Sequence, residues 1–292
     1  MAKLKLTLSM LIFGTIGLFV NFLSLPSGLV ALTRGAVGSA FILLALILLK
    51  KRPSGKAIKN NLWLLICSGG AIGINWILLF EAYKRTGVAL GTLCYYLAPV
   101  FVVLASPIVL REKLTAKKIV CVLLAMVGMA AVCGVFGGGA DGSDAVGMLF
   151  GVGAAVFYAS VILMNKFLKD ISAYDSTLLQ LSAATVTLAP YVIFSGQLNS
   201  LVIDGRAAAL LAAVGIIHTG VAYCLYFSSM ADLPSQTIAL YSYIDPAFAL
   251  ILSAVVLKEK LTAAGIAGAF LILGSTLFSE LTEGKKTEGL SD

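Results

Sequence analysis

Between residues 5 and 281 the chain is laid out as ten apolar runs separated by short gaps. They lie near 5–24, 28–49, 62–83, 88–110, 117–136, 146–166, 174–195, 207–229, 235–257 and 262–281. About 20 apolar residues at 1.5 Å rise each cross the roughly 30 Å hydrocarbon core of a bilayer. The predicted fold is therefore all-α and integral to a membrane, with ten transmembrane helices. Composition agrees, since 60% hydrophobic and 12% charged residues and a mean hydropathy of +1.01 lie far from the globular norm. The gaps carry turn and helix-start chemistry: Leu25 to Gly28, Gly137 to Ser143, Asp232 to Ser235, and Thr115 and Thr262 as candidate N-caps. Beyond Thr282 the sequence is polar and reads as a disordered tail over 282–292.

A net charge of +7 invites a nucleic-acid reading, but the cations fall in gaps between apolar runs rather than on one hydrophilic face. They work instead as topology signals. With the N-terminus inside, fifteen of the 21 Lys and Arg fall in cytoplasmic segments and five outside, with Arg34 inside a span. That bias places both termini in the cytoplasm and the protein in the cell membrane. Lys3 and Lys5 precede an apolar stretch as in a signal peptide, yet no A-x-A cleavage site follows, so this stretch is read as the first helix. All five cysteines (Cys67, Cys94, Cys121, Cys133, Cys224) lie within apolar runs without CxxC or CxxH spacing. No metal site and no cofactor are expected from them.

The sequence also repeats itself. Residues 94–116, CYYLAPVFVVLASPIVLREKLTA, align without a gap on 241–263, YSYIDPAFALILSAVVLKEKLTA, at an offset of 147, with eleven of 23 pairs identical. Tyr96/Tyr243, Pro99/Pro246 and the Glu-Lys-Leu-Thr-Ala run are shared, while Ala98 faces Asp245. This is a duplicated unit. Five crossings per copy is an odd number, so the second copy enters the membrane inverted, an arrangement that recurs in transporters because two halves can rock about a midplane site. The expected organisation is a first repeat over 1–136, a linker over 137–144 and a second repeat over 145–281. Gly69-xxx-Gly73 and Gly147-xxx-Gly151 are candidate points of close helix approach.

These residues resemble the EamA family of the drug/metabolite transporter superfamily. The resemblance rests on Arg34 in LTRGAVG, Pro99 with Glu112 and Leu114, Pro246 with Glu259 and Leu261, and the runs LLFEAY and CLYFSSM, and it spans nearly the whole chain. It implies ten helices in two repeats and transport of amino acids, other metabolites, amines or drugs. Position 245 is Asp where the family's second repeat often carries Glu before its proline.

Several residues could carry chemistry. Pro99 and Pro246, mid-span, each remove a backbone donor and free the Tyr95 and Ser242 carbonyls, which marks them as hinges beside a cavity or as structural kinks. Asp245 sits beside one of these kinks, and an ionised carboxylate at membrane depth is paired, water-lined or protonated. It is a candidate for proton coupling, for a substrate amine, or for a packing role holding Arg34. Arg34 could fork onto a substrate carboxylate, snorkel outward or be structural. His218 and Glu81 are the other coupling candidates, against a packing histidine and an interfacial acid beside Lys84 and Arg85. Asn75, Trp76, Tyr95, Tyr96, Tyr158, Tyr223, Tyr226, Tyr241 and Tyr243 supply aromatic and polar groups near cavity depth. Of these, Asn75, Trp76, Tyr95, Tyr223 and Tyr241 join Arg34 and Asp245 as candidate substrate contacts.

The expected function is secondary active transport of a small metabolite, an amino acid or similar, outward by alternating access, with the proton as candidate coupling ion. Phosphorylated substrates would want several cations where this membrane domain has one arginine. Uptake of a cationic amine such as choline is the alternative within the class. A membrane enzyme acting on lipid is the alternative outside it, though no Asp-rich motif, HExxH or nucleotide loop is present. The partners expected are a small-molecule substrate, the lipid bilayer and protons, and no nucleic acid.

Overall fold

The structure is a computed structural model and describes residues 1–132, 145–198, 203–256 and 262–288. The linker at 137–144, Cys133, the Lys258 to Leu261 elbow and residues 289–292 lie outside the described residues. Every regular element described is helical: α1 Ala2–Asn21, α2 Ser27–Leu48, α3 Gly55–Tyr95, α4 Ala98–Val109, α5 Ala116–Val132, α6 Ala145–Asn165, α7 Ala173–Phe194, α8 Gly205–Gly215, a π-helical turn Ile216–Val221, α9 Ala222–Met230, α10 Ser235–Tyr241, α11 Ile244–Val256 and α12 Ala263–Glu288. Seven segments among the described residues are long and apolar enough to cross a membrane, and Ala263–Ser279 is a shorter apolar helix. The chain is an integral, multi-pass membrane protein. The α12 backbone stays helical to Glu288, past the end of the last apolar run at residue 281.

The gap chemistry explains where these helices begin. Ser54, Ser172 and Asp204 accept hydrogen bonds from the backbone N–H groups of Ala57, Asp175 and Ala207, satisfying first-turn donors of α3, α7 and α8. Thr115 caps α5 through Lys118 N–H at 3.4 Å, and Thr262 caps α12 through Gly265 N–H at 3.0 Å. Those two threonines occupy the same place in the duplicated sequence.

The third and fourth apolar runs fall within one helical segment, Gly55–Tyr95, although the membrane-length stretches in it end at Thr86 and resume at Gly91. The chain nonetheless reverses direction inside it. A Cβ built on Gly91 would lie 3.5 Å from the carbonyl carbon of Ala82, whereas nine residues of straight helix span about 13 Å. Both duplicated proline segments are also broken, at Tyr96–Leu97 and at Ser242–Tyr243. Pro99 and Pro246 fall in the first turns of α4 and α11, where a missing N–H costs nothing.

Small residues let the helices close up. Gly69 and Gly73 of α3 meet α7, where an added Cβ would come within 2.6 Å of Ala183 Cβ and 2.8 Å of Thr187 Cβ. Gly147 and Gly151 of α6 meet α3 in the same way, at Arg85 and Cys94. A polar knot of Ser68, Asn165 and Gln180 ties α3, α6 and α7 together, and each side-chain amide in it has a partner. Helices α5 and α12 pack on each other at the side of the bundle, while α1, α2, α3, α6, α9 and α11 surround its middle.

Cross-links also group the chain's turns into two faces. On one, Ser54 N–H donates to Asp175, Asn61 bonds the Lys169 backbone, Glu112 meets Ser235, and Lys166 reaches the carbonyls of Met230 and Leu233. On the other, Gly28 lies against Gln197, and Arg206 lies over Phe22.

Candidate functional site

Near the middle of the bundle lies a cavity of about 150 Å³. Its polar wall comes from Arg34 on α2, Asn75 and Trp76 on α3, Tyr95 at the end of α3, Tyr158 on α6, Tyr223 and Tyr226 on α9, and Asp245 on α11. Phe13 and Ile16 of α1 and Ile72, Leu79, Phe80 and Val161 complete the apolar part.

Arg34 reaches this wall through a local irregularity in the helix opposite. In the π turn, the hydroxyl of Thr219 donates to the carbonyl of Val214, five residues back, at 3.0 Å. Its oxygen accepts from Arg34 Nε at 3.1 Å. The guanidinium carbon lies 4.6 Å from the centre of the Trp76 ring, a cation–π contact. Gly38, one turn along α2, allows the approach, since a Cβ there would come within 2.9 Å of Thr219 Cγ2. One nitrogen is thus fixed and the planar face is covered, which leaves the terminal amino groups to the cavity.

Asp245 stands in the first turn of α11, and its Oδ2 accepts from the hydroxyl of Tyr96 at 3.1 Å. No ion pair joins it to Arg34, the charged atoms being more than 4.0 Å apart. The cavity therefore has one guanidinium and one carboxylate on its lining, each anchored by a neutral neighbour and not paired with the other. Around them the aromatic rings hold one another: Tyr95 stacks on Tyr158 at 5.3 Å, Tyr158 and Tyr226 share a 3.1 Å hydroxyl contact, and Tyr223 stands edge-on to Trp76 at 6.3 Å. Asn75 donates to the Ala154 carbonyl at 2.6 Å, so its amide is committed to α6.

Six of the seven substrate candidates read from sequence line this cavity: Arg34, Asn75, Trp76, Tyr95, Tyr223 and Asp245. Tyr241 does not, being buried on α10 away from it. His218 also lies elsewhere. Its Nε2 meets Thr15 Oγ1 at 2.7 Å, and because that hydroxyl gives its one proton to the Ile12 carbonyl, the histidine is the donor. Phe19 packs edge-on against its ring, so His218 joins α1 to the π turn. Glu81 is not part of the cavity lining, and its carboxylate takes hydrogen bonds from Lys84 and Tyr191. A carbonyl next to those freed by the prolines is held across the bundle: that of Tyr96, one residue beyond Tyr95, accepts from Tyr243 O–H at 2.9 Å.

The sequence reading missed Thr219, whose role depends on a π turn that no residue pattern announces. It also missed Phe13 and Ile16, which sit in a run apolar on all sides. The purpose of Glu112 in the duplicated elbow emerges only in three dimensions. Its carboxylate accepts from Ser235 N–H at 2.8 Å, Ser235 O–H at 2.9 Å and Gln236 N–H at 3.4 Å, clasping the start of α10, while Gln236 Nε2 donates to Ser106 at 2.8 Å.

A bundle of apolar helices around a small charged cavity defines a membrane transporter, and comparison with known proteins agrees. The EamA-like transporter family matches twice, over residues 2–134 and 145–281, and the chain belongs to that family. An uncharacterized transporter of Bacillus subtilis (strain 168), YxxF, is 29% identical over 87% of this chain and 81% of its own length. An uncharacterized transporter of Archaeoglobus fulgidus is 26% identical over 90% of this chain and 91% of its own. Another, from Vibrio cholerae, is 25% identical over 91% and 87%. A protein of known crystal structure superposes with a TM-score of 0.84 over 96% of this chain and 98% of its own, at 18% identity, and shares the fold.

Proposed function

We propose that this protein is a secondary active transporter carrying a small metabolite, an amino acid or a molecule like it, outward across the cytoplasmic membrane by alternating access. The observation that carries the reading is the unpaired juxtaposition of Arg34 and Asp245 on one aromatic-walled cavity. A zwitterion fits such a gap, with its carboxylate on the Arg34 fork and its ammonium toward Asp245. The Asp245 carboxylate, when free of substrate, is the group we assign to the proton in a coupled cycle. Uptake of a cationic amine would use the rings and Asp245, but Arg34 on the same wall opposes a ligand carrying only positive charge. A lipid-directed enzyme is disfavoured because no cluster of three metal-ligating side chains occurs among the described residues.

The architecture proposed with it is ten crossings in two inverted repeats, 1–136 and 145–281, with both termini cytoplasmic. The twofold family match, the shared threonine caps and the paired helix breaks support it. In that arrangement the Glu112 clasp closes the cytoplasmic face, and opening it exposes the cavity inward. Thermal stabilisation of purified protein by a panel of amino acids, followed by counterflow in proteoliposomes, tests the substrate assignment. Stabilisation by choline with none by any amino acid would reverse it.

A further inference from the structure

A second cavity, of about 590 Å³, opens on the face that carries the 49–54 and 166–172 turns. Its lining is polar at Ser54, Lys56, Asn60 and Lys169 and apolar at Leu64 and Phe167. This wall is built. Asn61, buried behind it, donates to the Lys169 carbonyl at 2.8 Å and accepts from Lys169 N–H at 3.0 Å, pinning the end of the α6 connection to α3. Asp170 completes the turn in the left-handed region at φ 50°.

Three observations fix what the cavity is suited to hold. It lies at headgroup depth: α3 starts at Gly55, and Trp63, 79% exposed on the same helix, stands where an indole prefers the membrane interface. Its lining carries two lysines against one acid, Asp170; neither Lys56 nor Lys169 has an ion-pair partner among the described residues, and the chain leading into it adds Lys50, Lys51, Arg52 and Lys59 with no acid between residues 50 and 59. It is amphipathic, with exposed Phe167 and partly buried Leu64 on the same lining as the two lysines.

We propose that this cavity binds an anionic phospholipid, its phosphodiester between Lys56 and Lys169 and its acyl end along Leu64 and Phe167. Ser54 and Asn60 offer hydrogen bonds to phosphate oxygens, and Asp170 accepts from a glycerol hydroxyl, which suits phosphatidylglycerol. Binding there would splint α3 to the α6–α7 connection, at a site separate from the central cavity.

The test uses the purified full chain in neutral detergent, with native mass spectrometry and thermal unfolding during titration with phosphatidylglycerol, phosphatidylcholine or inorganic phosphate. Phosphatidylglycerol is retained and stabilises, and phosphatidylcholine does neither. The double variant Lys56→Gln/Lys169→Gln loses retention roughly tenfold or more, while Lys113→Gln/Lys117→Gln, cations outside the cavity, keeps it. Equal losses in both double variants would reduce the site to diffuse surface charge and overturn the proposal. Stabilisation by inorganic phosphate as large as by the lipid, abolished by the same pair, would overturn the lipid in favour of a free anion.

Discussion

Replacing Glu112 by Gln tests whether the clasp on α10 controls access to the cavity. The carboxylate takes three hydrogen bonds from Ser235 and Gln236. Hydrogen bonds to a charged group contribute about 1.5–3 kcal/mol each, and a glutamine oxygen can keep one donor without the charge. The clasped state should therefore lose about 2 kcal/mol relative to the open one, an increase of roughly 30-fold in the open population. Ser106, fully buried behind the clasp against Gln236, reports that population. In a background with the native cysteines replaced, Ser106→Cys should react with a membrane-impermeant maleimide about 30-fold faster when Glu112→Gln is added. The Gln236 hydrogen bond to Ser106 is lost in both arms and cancels. An unchanged labelling rate in a variant as thermostable as its parent would refute the reasoning, and the clasp would then be part of a face that never opens.

Arg34→Lys should fold normally and bind a carboxylate substrate about tenfold more weakly, because an ammonium cannot keep both the Thr219 bond and a forked contact; a drop in monodisperse yield with unchanged affinity would make Arg34 structural. Thr219→Val should weaken binding by a similar factor and Thr219→Ser should restore it, measured by the same ligand-induced thermal shift. Asp245→Asn should keep its melting temperature, since the amide oxygen can still accept from Tyr96 and no ion pair is broken; exchange should survive in liposomes while accumulation driven by a pH gradient disappears, and retained accumulation would move the coupling role elsewhere. Single cysteines at Lys56 and Lys117 should be labelled from the cytoplasmic side alone and one at Gln197 from outside alone; labelling of 56 and 117 from opposite faces would rule out the inverted arrangement.

Much of this architecture could be read directly from the chain. Span length and hydropathy marked apolar membrane helices, the 147-residue offset exposed a duplicated segment, and threonine chemistry located two helix starts, because each depends on local properties of consecutive residues. Arg34 and Asp245 stood out because charge at membrane depth is costly wherever it faces. What could not be read was partnership. A sequence does not say that Arg34 would meet a threonine on a π turn rather than Asp245, that His218 would be spent on Thr15, or that Tyr241 would turn away while Tyr158 turned in. Those outcomes follow from how α1, α2, α6 and α9 rotate as they pack, which depends on small residues such as Gly38 allowing one helix close to another.

The contact between Tyr96 and Tyr243 carries one more consequence. They are counterparts in the duplicated sequence, and their rings stack on each other at 5.9 Å, so the two halves meet at matching points. Yet Tyr243 gives its hydroxyl proton to a backbone carbonyl and Tyr96 gives its own to Asp245. Two identical halves would make the inward and outward shapes equal in energy, like a switch with no resting position. Under the proposed mechanism a single carboxylate on one side would supply the resting position, and whatever neutralises it would reset the preference. In the alternating-access reading proposed above, the resting balance between the two shapes would thus be written into a pair of tyrosines by a substitution at one position, while the solute and proton gradients would set the direction of net movement.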